Sequence, residues 1–299
     1  MLDTIKEPLA EQICDLCGHT GTPAQSVLIR SNVRRFRQEK FRVWRCGACA
    51  SIHCEKVTDL AHYYEHYPLR QERLGYFANA WFTVILQRLR KAGLERSHRI
   101  LDYGCGHGLF LNFLKQKSYN SCFGYDPYTE LYKNAAVLSY QYDVVVALDV
   151  VEHVESTASL ISTFDQLVKP GGLLCLQTPR AEGIDLLRPE EFIHGLHMPY
   201  HVHILSELAL IDLCTRHKFV VKSLYHRWYQ DSWLPCTSRR FIDLFMKCNG
   251  NDLDAAFDPP TWQTMLTTPM LWLYALFGHF SIPKKKDTMM IVFQKLHST

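Results

Sequence analysis

Two cysteine pairs carry the first recognisable chemistry of the chain: Cys14-Asp15-Leu16-Cys17-Gly18 and Cys46-Gly47-Ala48-Cys49, separated by 28 residues. A CxxC turn points two thiolates at one ion, and a glycine beside it lets backbone amides turn toward the sulfurs. Two such knuckles complete a tetrahedral zinc site. Four thiolates leave no open coordination position, so this zinc has a folding role rather than a catalytic one. Four reduced core cysteines are the alternative. His53 and Cys54 lie close by and are surplus to a four-ligand set.

A second chemical signal is Ile100-Leu101-Asp102-Tyr103-Gly104-Cys105-Gly106-His107-Gly108-Leu109-Phe110, an apolar strand running into a glycine-rich turn and then a helix. Glycines permit a tight turn and close approach of a ligand to the backbone. A dinucleotide site prefers GxGxxG, whose helix N-terminus receives a pyrophosphate. Asp102 stands two positions before the first glycine, where it repels a pyrophosphate and attracts the ammonium of a methionine moiety. The next strand ends in Gly124-Tyr125-Asp126, and a carboxylate there suits the two hydroxyls of a ribose.

These residues resemble the class I S-adenosylmethionine-dependent methyltransferases. Tyr142–Val154 looks like the fourth strand and the Glu-His-Val turn of the ubiquinone-biosynthesis type, and Leu167–Leu174 looks like the turn before the fifth strand. With the four cysteines in front, the chain resembles the subgroup with an N-terminal zinc-binding domain, which acts on sugars and natural products. The resemblance implies a Rossmann-like, seven-stranded α/β sheet. It places Asp102, Tyr103, Gly104 and Gly106 at the methionine end of the cofactor and Asp126 at the ribose. Leu148 and Asp149 would line the cofactor near the methionine. The stretch from Asp126 to Asp143 is short and lacks the acid that many members place near adenine.

Glu190, Glu191, His194, His197, His201 and His203 crowd into the loop after the fifth strand. A metal site is one reading, although no HExxH helix is visible and Pro189 and Pro199 argue for loop. The resemblance favours another: many members place a His five residues before the Ser or Thr that opens the next helix. His201 and Ser206 fit, making His201 the candidate base for an acceptor proton. His153 is the second candidate. Tyr63, Tyr64 and Tyr67 resemble the family's tyrosine-rich pocket cover.

The elements that must position these groups follow from composition and pattern. The 299 residues are 47% hydrophobic and 21% charged, with net charge +3, a globular composition that excludes a disordered or low-complexity chain. Eleven cysteines, no basic-then-apolar leader and no spanning apolar run indicate a cytoplasmic protein with reduced thiols. Leu28–Arg30 and Phe41–Trp44 are the expected hairpin strands between the cysteine pairs. The hairpin's Arg30, Arg34, Arg35, Arg37, Lys40, Arg42 and Arg45, interleaved with aromatics, raise RNA binding. Glu39 and the mild net charge disfavour it.

Leu74, Phe77, Ala78, Trp81, Val84, Ile85, Leu86 and Leu89 predict a helix capped near Gly93. Strands are expected at 99–103, 121–125, 143–148, 173–177, 220–225 and 288–294. Between the last two lies a hydrophobic insertion holding Trp228, Trp233, Trp262, Trp272, Phe257, Phe277 and Phe280, with Lys284-Lys285-Lys286 behind it. A helical lid or dimer surface is one reading; an interfacial patch or a pocket for an apolar acceptor is the other. The expected division is a zinc-binding domain (1–60), a helical linker and pocket cover (61–98), a cofactor-binding core (99–228), the insertion (229–283), and a last strand with tail (284–299). The function expected is methyl transfer to an oxygen or carbon of a small molecule, apolar in one reading. An RNA methyltransferase and a cofactor-binding scaffold without turnover are the alternatives.

Overall fold

The computed structural model describes residues 11–55, 60–67, 74–228, 234–256, 258, 262–280 and 286–297. Trp233, Phe257, Lys284 and Lys285 lie outside them, as does the side chain of Trp262. The chain divides into two units. One gathers Met1–Arg70, Arg180–Ser206 and Arg227–Asp287; the other gathers Gln71–Pro179, Glu207–His226 and Thr288–Thr299.

In the first unit a two-residue ribbon, β1 (Gln12–Ile13) and β2 (Thr20–Gly21), brackets the first cysteine pair. β3 (Gln25–Arg30) and β4 (Lys40–Arg45) form the expected hairpin, with Ile29 opposite Phe41 and Val27 opposite Val43. β5 (Ile52–Cys54) extends it, and β10 (His203–Ile204), 150 residues later, pairs with β5 and completes a four-stranded sheet. Period-two alternation turns Ile29, Phe41, Val43 and Ile52 to one face. There they meet Ile184, Ile193, Leu196 and Ile204, the middle two on the short helix α5 (Ile193–Leu196). α1 (Leu60–Tyr64) brings Tyr63 and Tyr64 against Phe36 and Tyr200.

The insertion supplies α7 (Arg239–Cys248), α8 (Trp262–Thr267) and α9 (Pro269–Phe277). Ser238 caps α7 by accepting from the Phe241 N–H. Its acids meet the arginines of the hairpin: Arg34 pairs with Asp258 at 2.7 Å, Arg37 pairs with Asp252 at 3.4 Å, and the Leu253 N–H donates to the Asn32 carbonyl. Arg30 reaches Glu190, and Arg45 donates to the carbonyls of Ala50, Ala181 and Ile184. Much of the basic run that raised nucleic-acid binding is thus engaged within the chain.

The second unit is an α/β Rossmann-like fold. Its sheet runs β11 (Phe219–Arg227), β12 (Thr288–Lys295), β9 (Val168–Pro179), β8 (Tyr142–Leu148), β6 (Ile100–Tyr103) and β7 (Cys122–Tyr125). β9, β8, β6 and β7 are parallel, and β12 is antiparallel to β9. Val144–Ala147 are wholly buried, as expected of a strand covered on both faces. α3 (Leu109–Gln116), α4 (Thr157–Leu167) and α6 (Glu207–Arg216) complete the crossovers. All six strands read from the sequence are present, and the insertion precedes the last.

The seventh strand that the family pattern implied is absent among the described residues. Between Asp126 and Tyr142 the chain makes only a 3₁₀ turn, Ala135–Ser139, capped by Asn134. A parallel strand needs a crossover of about a dozen residues besides itself, and this segment is too short for both. α2 (Tyr76–Lys91) forms where expected and buries most of the expected face: Ile85, Leu86 and Leu89 are in the core, and Leu74, Ala78 and Trp81 pack against it. Phe82 joins Ile85, Leu86 and Leu89 in the core, whereas Phe77 is 44% exposed. The helix ends as its sequence indicates: Gly93 has φ +108°, its N–H bonds to Arg90, and Leu94 bonds to Leu89.

Candidate functional site

β6 delivers the glycine turn at the C-terminal edge of the parallel strands. Gly104, Gly106 and Gly108 all have positive φ, at +75°, +51° and +75°, a region costly for residues with a Cβ. Their surroundings differ. A Cβ on Gly104 would stand 2.4 Å from Val150, and one on Gly108 would stand 2.3 Å from the Tyr132 hydroxyl. Gly106 has nothing within 4 Å of that position. Two glycines therefore serve packing, and Gly106 opens a cradle at the turn's free face.

Asp126, at the end of β7, braces this cradle. Its Oδ2 accepts from the Gly106 N–H and its Oδ1 from the Tyr128 N–H, each at 2.9 Å. Asp102 is buried, and burial together with the Asp126 carboxylate pushes its pKa up to about 8. Such a group gains from a cationic ligand, and an open cradle beside two acids suits a ligand with an ammonium and sugar hydroxyls. The residues present therefore fit S-adenosylmethionine.

Tyr103 alternates to the other face, where its ring packs on Tyr125 and Phe164. Leu148 borders the core. Asp149 holds a left-handed backbone, φ +55°, fixed by Gln177: the Asp149 N–H bonds to the Gln177 carbonyl, and Gln177 Nε2 donates to the Asp149 carboxylate at 3.2 Å. A non-glycine residue in this region stores strain of the kind found at functional sites. In the following turn the His153 N–H bonds to the Val150 carbonyl.

Glu152 escaped the sequence reading. It is fully buried and neither carboxyl oxygen has a hydrogen-bond partner, the Thr178 hydroxyl lying near but outside bonding geometry. Burial first, then the Asp149 charge, raises its pKa well above the usual carboxylate range. Only its place beside His153 in the Glu-His-Val turn could have flagged it.

In the first unit the four cysteines converge. The sulfurs of Cys14 and Cys49 are 3.6 Å apart and those of Cys17 and Cys46 are 3.8 Å apart, and all four lie within 4.8 Å of one another. Zinc–sulfur bonds of about 2.3 Å in a tetrahedron place the sulfurs about 3.8 Å apart, so the donor set fits zinc. Amides of Ala48 and Cys49 turn toward the Cys46 sulfur. Gly18 takes the left-handed position after the first knuckle, and Ala50 takes it after the second. The hydrogen bond between Cys14 and Cys49 holds the Cys14 thiol high and the Cys49 thiol low.

His53, set aside in the sequence as surplus, belongs to this assembly. It is buried and stacked on Trp44, with Nε2 3.2 Å from the Cys14 sulfur. Its Nδ1 is 3.0 Å from Nδ1 of the buried His203. That contact depends on the pairing of β5 with β10, which no local pattern announces.

The histidines of the 194–203 loop are held by separate hydrogen bonds, with His194 and His197 sharing Asn32 and the rings of His197 and His201 in contact. His194 Nδ1 meets the Asn32 amide, and burial lowers its pKa to about 4. His197 bonds to Asn32 and Tyr67. His201 is buried, with Nδ1 2.9 Å from the Gly195 carbonyl. A carbonyl only accepts, so Nδ1 carries the proton and the basic lone pair is on Nε2. Ser206 directly precedes α6, and its N–H donates to the Ser51 hydroxyl. His201 lies in the first unit and the glycine turn in the second.

Comparison with known proteins agrees with this geometry. A family model described as a methyltransferase domain matches residues 72–224. A ubiquinone biosynthesis O-methyltransferase of Leptothrix cholodnii is 30% identical over 170 residues, covering 48% of this chain and 67% of that protein. The protein of the same name from Citrobacter koseri is 28% identical over 132 residues, covering 37% and 50%. The matches thus span between half and two thirds of these relatives. An S-adenosylmethionine-dependent methyltransferase structure from Mesorhizobium loti aligns with TM-score 0.43 and 14% identity over 70% of this chain and 96% of that one.

Proposed function

This chain belongs to the methyltransferase-domain family, and we propose that it transfers a methyl group from S-adenosylmethionine to an oxygen or carbon of a small-molecule acceptor. The observation that carries this proposal is the open cradle at Gly106, braced by Asp126 and backed by the buried Asp102. Asp102 would hold the ammonium of the methionine end, the Gly104–Gly106 backbone its flank, and Asp126 the ribose hydroxyls. Leu148 and Asp149 would border the same end. When bound, S-adenosylmethionine supplies an electrophilic methyl on a sulfonium.

The chain's own contribution is to align the acceptor, exclude water and remove a proton. We assign proton removal to His201, whose Nδ1 is anchored on Gly195 so that Nε2 presents the lone pair. His153 is next in line. The O-methyltransferase relatives act, by name, in ubiquinone biosynthesis, which favours a hydroxyl-bearing small molecule. Zinc on Cys14, Cys17, Cys46 and Cys49 has a folding role. Calorimetric titration with S-adenosylhomocysteine, followed by methyl-transfer assays over an acceptor panel, tests the proposal. A protein that binds neither S-adenosylmethionine nor S-adenosylhomocysteine overturns it.

A further inference from the structure

α1 and the turn behind it present three metal-ligating side chains that neither the cysteine assembly nor the cofactor cradle uses. His62, Glu65 and His66 stand at i, i+3 and i+4, the spacing that brings side chains to one face of a helical turn. α1 closes at Tyr64, yet the His66 N–H bonds to the Tyr63 carbonyl and the Tyr67 N–H to the Tyr64 carbonyl, so the chain keeps winding through His66. One donor atom from each of the three lies within 4.8 Å of the other two. His62 and Glu65 are exposed and His66 is half-buried, so an ion can reach them from solvent.

The rings are held in place. His62 and His66 both pack on the buried Phe36, with centroids 5.7 and 6.0 Å away, and their own centroids are 5.4 Å apart. His66 Nδ1 is 3.1 Å from the His62 carbonyl. A carbonyl only accepts, so Nδ1 carries the proton and Nε2 holds the lone pair. Metal-ligating histidines are commonly oriented in this way, by a carbonyl on the second ring nitrogen. α1 is itself tied down: the Tyr63 hydroxyl donates to the Glu39 carboxylate at 2.5 Å, and the Tyr200 hydroxyl donates to the Tyr63 carbonyl at 2.9 Å.

We propose that His62, Glu65 and His66 form a second, open binding site for a divalent transition metal of the zinc class. Two imidazoles and one carboxylate are borderline donors, which select zinc, cobalt, nickel or copper over calcium and magnesium. Bonds of about 2.0–2.2 Å place tetrahedral donor atoms about 3.3–3.6 Å apart, so rotation of the two exposed side chains closes the set. Three protein ligands leave a fourth position for an exchangeable water, whereas four cysteines saturate their ion. The bound ion would staple α1 to the turn that carries Tyr67. The Tyr67 hydroxyl meets His197 Nε2 at 3.2 Å, and its ring packs on Tyr200, so the site braces this tyrosine layer. None of this depends on the methyl-transfer proposal.

Titration of the untagged full chain with cobalt tests this. Cobalt on thiolates gives an intense charge-transfer band and cobalt on imidazole and carboxylate does not, so ions at the two sites are counted separately. One ion per chain is expected to bind saturably with d–d absorption alone. The double substitution His62→Gln with His66→Gln should weaken that binding by at least the factor of about 10–100 that loss of an outer partner costs. Glu65→Gln, which keeps the side chain's shape at an exposed position, should weaken it as well, with the melting temperature before cobalt addition and the binding of S-adenosylhomocysteine unchanged. In the wild type, cobalt should slow amide exchange over residues 62–67. The proposal is overturned by the absence of a saturable ion outside the cysteines, or by one whose affinity is the same in wild type and in Glu65→Gln or the double variant. Unchanged exchange on saturation overturns the bracing role.

Discussion

His53 Nε2 lies 3.2 Å from the Cys14 sulfur, while its Nδ1 faces Nδ1 of His203 at 3.0 Å. With zinc on the four cysteines, the Cys14 thiolate would only accept, which would place the proton on His53 Nε2 and make His53 Nδ1 the acceptor and His203 the donor. One polarised chain would then run from the 194–203 loop to the cysteine site. Removing such an outer partner typically costs about 10–100-fold in metal affinity. His53→Ala should weaken zinc binding by that factor in chelator competition, and His53→Gln, which keeps an amide donor, by less. Equal affinity in wild type and His53→Ala would show that the contact does not tune the metal.

The metal should in turn order the loop. β10 pairs with β5, and β5 follows the second cysteine knuckle directly. Cys46→Ser should therefore lose zinc and also raise amide exchange in residues 200–206. Full zinc content in that variant sinks the four-cysteine assignment.

Gly106 and Asp126 test the cofactor cradle from two sides. Gly106→Val fills the open face and imposes a side chain on a backbone at φ +51°, so it should abolish binding of S-adenosylhomocysteine. Asp126→Ala should weaken binding by about 1–3 kcal/mol, through lost charge-assisted bonds to the ribose and a loosened Gly106 turn. Wild-type affinity in both variants means that the cofactor binds elsewhere.

Asp102 gives the site a pH signature. Its pKa, raised to about 8 by burial and then by Asp126, means that the fold favours the uncharged acid. Stability from that preference is fully present below the ordinary carboxylate pKa and declines as pH rises toward about 8. An ammonium ligand favours the ionised form instead. Binding of S-adenosylhomocysteine near pH 7 should release between about half a proton and one proton, and affinity should rise from pH 6 to 8. Calorimetry in buffers of different ionisation enthalpy reads the release, which Asp102→Asn should abolish.

Local signals were legible in the sequence; long-range pairings were not. The six core strands, the hairpin and both cysteine knuckles follow from apolar runs and turn residues within a few positions. The glycine turn and Asp126 were legible because their chemistry repeats strand by strand in an α/β sheet. The face of α2 is legible except at one point: its apolar residues cover more than one side, so periodicity does not choose between Phe77 and the buried Phe82. The missing seventh strand shows that a family pattern cannot override a segment too short to hold it. His53 was passed over because its role arises only when residues 150 positions apart pair. The acidic turns of the insertion bind the arginines of the hairpin by the same kind of remote contact.

His201 carries the test of proton removal. Its Nδ1 is committed to the Gly195 carbonyl, so under the proposed assignment Nε2 would be the base. His203 lies two residues on, but its Nδ1 faces His53, which gives it a positioning role in the cysteine assembly. A positioned general base contributes about 10²–10⁴-fold in rate. His201→Ala should therefore lower turnover by at least about 100-fold with little change in S-adenosylhomocysteine affinity. His203→Ala should act mainly on zinc retention. The rate of the wild type should rise with pH as the imidazole loses its proton, and that limb should vanish in His201→Ala. Near-normal turnover in His201→Ala on an acceptor that must lose a proton transfers the role to His153, and the double variant then decides whether any histidine is the base.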